Sequence, residues 1–229
     1  MKKLWIMLCA FSLFSSSMIF SQDEIKPDFS NRRTALIFTF SGLGNIGAGD
    51  FQGGIGGKLF FSPNLALRAG LSFVSASESI PYQNGPGQEG KQSATGFGIN
   101  GAIEYHLSPA RVSPYIGGGL SLNTLSTESK NAVSAIQQQT TVKNNLGGEN
   151  IGGTAYQAGT TVSVFALVGA EFFLYKELSL AAEYRLGFSS TSQSDQEITT
   201  GSVTQKTTGG SLTKVGIDSQ GFITLAFYF

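Results

Sequence analysis

The chain ends in GFITLAFYF, where Ile223, Leu225, Phe227 and Phe229 alternate with Thr224, Ala226 and Tyr228. Successive side chains of an extended strand point to opposite faces, so this period of two predicts a strand with one apolar and one mixed side. A final strand this aromatic gives little to an exported soluble domain. The alternation recurs upstream, and reading for it yields eight strands.

The first is 34–41, with Leu36, Phe38 and Phe40 on one face. The second, 51–61, groups Ile55, Leu59 and Phe61 opposite Lys58, and the third, 65–75, groups Leu65, Leu67, Leu71 and Phe73 opposite Arg68. The fourth, 95–105, sets Phe97, Ile99, Ile103 and Tyr105 against Asn100 and Glu104. A glycine-rich fifth spans 114–122. The sixth, 160–174, is apolar on both sides, so that only Glu171 orients it. The seventh, 178–188, sets Leu180, Tyr184 and Leu186 against Glu183 and Arg185, and the eighth ends at Phe229.

Connection lengths alternate. After the second, fourth and sixth strands they are a few residues, SPN and HLSPARVS among them, and proline there cannot continue a ladder. After the first, third, fifth and seventh they are longer and rich in Gly, Ser, Thr, Asn and Gln, as over 124–159 and 189–214. An up-and-down meander gathers the short turns at one end of the sheet and the long loops at the other.

The N-terminus has a different character. MKKLWIMLCAFSLFSSSMIFSQ begins with Lys2 and Lys3, continues with an apolar run and reaches Ser21, the pattern of a secretory signal peptide over 1–21. A transmembrane anchor is disfavoured by the interruption at Ser15, Ser16 and Ser17 and by the lack of a basic stop-transfer flank. Cys9 follows bulky Ile6, Met7 and Leu8 too early in the segment for a lipoprotein cysteine. Cleavage after Ser21 would leave 208 residues, take two of the 15 basic residues away and set the formal charge at −2. The remaining chain has no cysteine, so disulfide scaffolds are excluded, and without a basic stripe nucleic acid is not an expected partner. Beyond the signal peptide no stretch reaches the roughly 18 consecutive apolar residues of a spanning helix. In lipid the remaining solution is a closed barrel, which pairs every backbone group between strands.

One motif points elsewhere. Gly42-x-Gly44-x-x-Gly47 follows a strand with the spacing of a dinucleotide-binding turn, and Gly96 to Gly101 repeats it. Such a turn needs a helix behind it to hold the pyrophosphate, and neither copy has one. Among 30 glycines the spacing is weak. The glycines at 53, 54, 56, 57, 96, 98 and 117–119 are read instead as relief of crowding where a narrow barrel bends, and those of GLGNIG as the first hairpin loop.

The combination of signal peptide, strand count, loop asymmetry and the terminal Phe229, with Phe227, Leu225 and Ile223 behind it, resembles the outer-membrane protein β-barrel family, the small eight-stranded barrels of the OmpA and OmpX type. The resemblance covers about 34–229. It implies an all-β, eight-stranded antiparallel up-and-down transmembrane β-barrel in the cell outer membrane, preceded by a short periplasmic segment over 22–33. It also implies outer-membrane lipid and the barrel-assembly machinery as partners, Ile223, Leu225, Phe227 and Phe229 being the assembly signal. No peptidoglycan-binding domain follows the barrel, so that tethering role does not carry over.

Under this registration Leu36, Phe38, Leu59, Phe61, Leu180, Tyr184, Leu225 and Phe227 face lipid. Six charged residues from five strands, Lys58, Arg68, Glu104, Glu171, Glu183 and Arg185, face inward, three of each sign. The first four lie four residues from a short turn, about 10 Å up the barrel. AIEYH, GAEFF and AAEYR repeat one local design around Glu104, Glu171 and Glu183. Ionised groups in low dielectric need opposite charges, so the six are expected to pair as a plug; a proton or ion path is the alternative.

The sequence carries no cofactor motif. An enzyme would need a nucleophile, a base and an orienting acid, yet the cleaved chain has no thiol and one histidine, His106, read as a solvated residue at a short turn. The expectation is a non-enzymatic barrel with a structural or surface-interaction role, its long loops meeting a surface ligand. A narrow pore or carrier for small solutes is the runner-up, and a lipid-modifying enzyme comes third.

Overall fold

A computed structural model describes residues 31–41, 51–83, 85–217 and 221–229. The signal peptide over 1–21, most of the 22–33 segment and the glycines of GLGNIG lie outside the described residues. Where the sequence alternates, the chain is extended, and among the described residues there is no helix. All the strand pairs are antiparallel.

Among the described residues sixteen strands occur where eight were expected. They are β1 (Thr34–Ser41), β2 (Phe51–Ser62), β3 (Leu65–Ile80), β4 (Gly87–Gln88), β5 (Gly90–His106), β6 (Val112–Lys130), β7 (Val133–Ser134) and β8 (Thr140–Lys143). After these come β9 (Glu149–Ile151), β10 (Thr154–Tyr156), β11 (Gly159–Tyr175), β12 (Leu178–Gln193), β13 (Gln196–Thr200), β14 (Val203–Thr207), β15 (Ser211–Ile217) and β16 (Phe222–Tyr228). The long strands pair in the order β1, β2, β3, β5, β6, β11, β12, β16 and back to β1, so their pairings form a circuit. β15 continues β16 along β12 with a slipped register, from Glu183↔Phe222 to Leu186↔Ile217.

The outward face explains the strand lengths. Leu65 to Phe73 on β3, Phe97 to Tyr105 on β5 and Pro114 to Leu122 on β6 are apolar or small at every outward position, and Ser or Thr takes over beyond them. These bands are nine residues long, the length a tilted strand of about 9–11 residues needs to cross hydrocarbon. The rest of each strand runs on as polar sheet, and β8, β13 and β14 extend it, joined by Thr140–Thr200 and Thr199–Thr204 hydroxyl contacts. The expected loops over 124–159 and 189–214 are therefore largely strand. Thr supports extended backbone as the apolar β-branched residues do, but alternation among polar residues leaves no contrast to read.

At the opposite end the connections are tight. Ser62 Oγ accepts from the N–H of Leu65 at 3.1 Å, and the Asn64 amide donates to His106 O at 2.6 Å, fixing the first turn to β5. The seam between chain ends is tied by Glu177: its carboxylate pairs with Arg32, and its carbonyl accepts from Tyr228 N at 2.7 Å.

The inward face starts narrow. A Cβ on Gly117 would stand 2.1 Å from Ile103 O on the neighbouring strand, and one on Gly56 would stand 2.2 Å from Ala69 O. Both are backbone atoms of the adjoining wall, so these positions admit no side chain. Gly117 and Gly56 thus hold the strands close, in keeping with the reading of the glycine-rich strands. Toward the long-loop end, β9 and β10 form a hairpin whose turn is Gly152–Gly153, with φ of 58° and 85°. Two consecutive positive φ angles define the hairpin turn whose twist matches its strands. Ile151 and Tyr156 of this hairpin pack against Ala76 and Ala94, with Val74 and Leu125 beside them.

Candidate functional site

The pleat sends every second residue inward, and the cross-strand register decides which of these meet. Lys58 and Arg68 are direct partners on β2 and β3, a like-charged pairing that is unfavourable by itself. Glu104, from the next strand, resolves it. Its Oε2 is 2.7 Å from Lys58 Nζ and its Oε1 is 3.1 Å from Arg68 Nη1.

Across the interior, Glu171 on β11 accepts from Lys58 Nζ at 2.7 Å. Glu183 on β12 accepts a forked pair from Arg68, Nη1 at 2.9 Å and Nη2 at 3.0 Å. Arg185, two residues along, closes back on Glu183 through Nε at 2.8 Å and Nη2 at 2.6 Å. The structure thus brings together all six inward charges read from the sequence. Lys58, Arg68, Glu104, Glu171 and Glu183 are buried, and Arg185 retains 16% of its side-chain surface.

Tyrosines and a serine complete the acceptors. Tyr228 OH donates to Glu171 Oε1 at 2.6 Å, Ser179 Oγ donates to the same oxygen, and Tyr115 OH donates to Glu183 Oε2 at 3.0 Å. Aromatic faces meet the cations: Lys58 Nζ lies 4.9 Å from the Phe60 centroid, and the Arg185 guanidinium lies 4.7 Å from Phe165 and 3.8 Å from Phe222. Buried charge is tolerable when each ion has an opposite charge and further hydrogen bonds; every ion here has its opposite charge, and Glu104 Oε1, which accepts no hydrogen bond, meets Arg68 as an ion pair alone.

His106 requires a correction. It is fully buried, not a solvated turn residue. Its ring lies between Phe60, 5.0 Å away, and Tyr115, 5.1 Å away. Ser113 Oγ donates its proton to Ser108 O at 2.7 Å, so His106 Nδ1 at 2.8 Å from that oxygen is the donor to it. Nε2 faces Lys58 Nζ at 3.3 Å and Glu104 Oε2 at 3.4 Å. The histidine keeps inward parity with Glu104 two residues earlier, and it lies at the floor of the network because β5 continues through it.

Sequence reading also missed Tyr115, Ser179 and Tyr228 as members of this network. Their inward parity was legible in the alternation; their contact with the charges depends on register between strands, which one strand's pattern does not contain.

Above the network the interior opens. A cavity of about 930 Å³ is floored by Arg68 and Arg185 and walled by inward polar residues including Thr39, Ser72, Asn100, Ser121 and Ser163. No group of three or more His, Cys, Asp or Glu among the described residues is placed to hold a metal ion.

The outward residues of the C-terminal strand are Ile223, Leu225 and Phe227, of which Phe227 is exposed. Phe38 and Phe227 meet edge to face with centroids 6.2 Å apart, and Phe229 beyond them is exposed, its N–H on Thr34 O at 3.0 Å. Leu36, Leu59, Phe61, Leu180 and Tyr184 are likewise exposed on the outward face.

Comparison with known proteins follows the same outline. The family model described as the outer membrane protein beta-barrel domain matches residues 7–212. Among solved structures, a major outer membrane protein from Thermus thermophilus is similar at 13% identity, over 86% of this chain and 99% of that one, with a TM-score of 0.48. CarO of Acinetobacter baumannii is similar at 8% identity, over 86% of this chain and 98% of that one, with a TM-score of 0.39. No curated protein matches the chain.

Proposed function

Because the chain belongs to the outer membrane protein beta-barrel family, we propose that it is exported by a cleaved signal peptide and inserted in the outer membrane as an eight-stranded barrel. Its membrane half is a plugged, structural wall, and its extramembrane strands are the surface that meets partners outside the cell. The observation that carries the plug is the buried network: Lys58 and Arg68 share Glu104 and reach Glu171 and Glu183 at 2.7–3.0 Å, across the interior from β2 and β3 to β11 and β12. Side chains fill a barrel of this size, and Phe60, Phe173 and Tyr228, all buried, occupy the space beneath the ions.

The extension of β3, β5 and β6 beyond their apolar bands supports the surface role, since a protein that only spanned lipid would not need it. The lower interior leaves a continuous water path no room, which favours the plug over the pore; the cavity above the ions favours the second reading, a carrier for small solutes. Bilayer recording on the purified barrel separates them. The plugged barrel conducts little or no steady current while showing the heat-dependent gel mobility of a folded barrel. Large stable channels from protein of that mobility would refute the plug.

A further inference from the structure

The plug accounts for Glu183, both of whose oxygens are taken by Arg68, Arg185 and Tyr115. It leaves the upper surface of that site without a role. The arginines lie over the carboxylate and turn a cationic face into the cavity of about 930 Å³. Lys214, opposite Ser189 in the pairing of β15 with β12, has inward parity and adds a third cation to the wall. No acidic side chain lines this cavity among the described residues. Arg185 engages Glu183 through Nε and Nη2, and among the described residues no hydrogen bond reaches its Nη1.

The remaining wall sets hydroxyl and amide groups among apolar side chains, Ile37, Val74, Phe165 and Phe222 among them. Ser72 Oγ donates to Asn123 Oδ1 at 3.0 Å, and Asn123 Nδ2 donates to Ser121 Oγ at 3.3 Å, so this array is held in place by its own hydrogen bonds. Asn100, Ser163 and Ser189 stand at other points of the same chamber. Such a surface offers donors and acceptors around its circumference with cations at its base and rim. Its volume lies in the range of about 300–1,000 Å³ typical of small-molecule sites, well above what a single small ion fills.

We propose that this chamber is a binding site for an acidic saccharide: one carboxylate seated on Arg185 at the base, a second near Lys214 at the rim, with ring hydroxyls exchanging hydrogen bonds with Ser72, Asn100, Ser121 and Asn123. Cations alone would take any anion, and hydroxyls alone any sugar; the two together on one enclosed wall select a molecule that carries both. The site is reached from the long-loop end, because the ion network closes the other, and in this respect the inference rests on the barrel reading.

The test is isothermal titration of the full processed chain, folded in detergent, with digalacturonate as probe and with maltose and acetate as comparators. Digalacturonate is expected to bind, with affinity falling as salt rises, and both comparators to bind at least tenfold more weakly. Lys214→Gln, at the exposed rim, and Asn123→Leu, in the hydroxyl array, are each expected to weaken digalacturonate binding roughly tenfold, as loss of a charged or buried hydrogen bond does. Heat-dependent gel mobility of the variants should stay as in the wild type. Maltose binding equal to digalacturonate would overturn the acidic class, and absence of digalacturonate binding by protein of normal mobility would overturn the site. Wild-type protein without heat-dependent mobility would instead refute the barrel on which the chamber depends.

Discussion

At the scale of single residues, Glu104 is the pivot of the interior. It is the anion shared by Lys58 and Arg68, which face each other across β2 and β3. Glu104→Gln keeps the shape and removes the charge, so two neighbouring cations lose the anion between them. Breaking one side of a buried ion pair costs about 3–5 kcal/mol, less where water reaches it. The variant is expected to unfold at lower temperature or denaturant than the wild type, with current through the barrel little changed; an unchanged midpoint would show that water already solvates these charges. Period two identified all six charged residues of this network, because a charged residue among apolar neighbours declares its face. It misplaced His106: a position at a strand end reads as solvated, and only the third dimension reveals the tilted rings of Phe60 and Tyr115 against its own. Tyr228 illustrates the same limit. Its inward side was legible, but its donation to Glu171, 57 positions away, was not.

At the scale of elements, glycine is what lets the strands of the wall lie close. Gly117, inward on β6, and Gly57, outward on β2, make the contrast. A Cβ at Gly117 would sit 2.1 Å from the carbonyl oxygen of Ile103, whereas one at Gly57 would have Ala35 O as its nearest neighbour at 3.8 Å, an ordinary contact. Gly117→Ala should force the wall apart at a cost of about 1–3 kcal/mol. Gly57→Ala should be neutral or slightly stabilising, because glycine in a strand gives up more chain entropy than alanine. Denaturant midpoints of the two variants check the contrast, and equal midpoints would refute it. The strands with apolar bands were readable because their two faces differ in chemistry. The strands over 133–156 and 196–207 were not, since Thr140, Thr141 and Val142 or Ile198, Thr199 and Thr200 offer an extended chain without a face that must be hidden. The Gly152–Gly153 turn was the signal available there, a glycine pair of the sort that closes two-residue hairpins, and it lay inside what was read as one polar loop.

At the scale of the whole molecule, the fold is inverted relative to a water-soluble domain. Its buried ion network is inside and a belt of large apolar side chains outside, from Leu67 and Leu71 to Ile103 and Leu120. Leu225 pairs with Phe38 on one side and Leu180 on the other, within this apolar belt. Arginine at Leu225 should cost about 2–4 kcal/mol if the residue lies at the midplane of the bilayer, and less toward either rim. Folding yield into lipid vesicles measures it, and a yield equal to wild type would place that face away from hydrocarbon. The seam carries a consequence in time. Thr39 and Thr224 share a hydrogen bond across 185 positions of chain, and the edges of β1 and β16 have no other partner with which to finish the circuit. Contacts this distant in sequence form slowly, because loop entropy must be surrendered before they reward it. Completion of the wall therefore waits for β16, and until it docks the facing edges of β1 and β12 keep their backbone groups unpaired. Open strand edges invite pairing with other chains, so the interval before β1 and β16 meet is the interval for which the folding chain needs protection from aggregation.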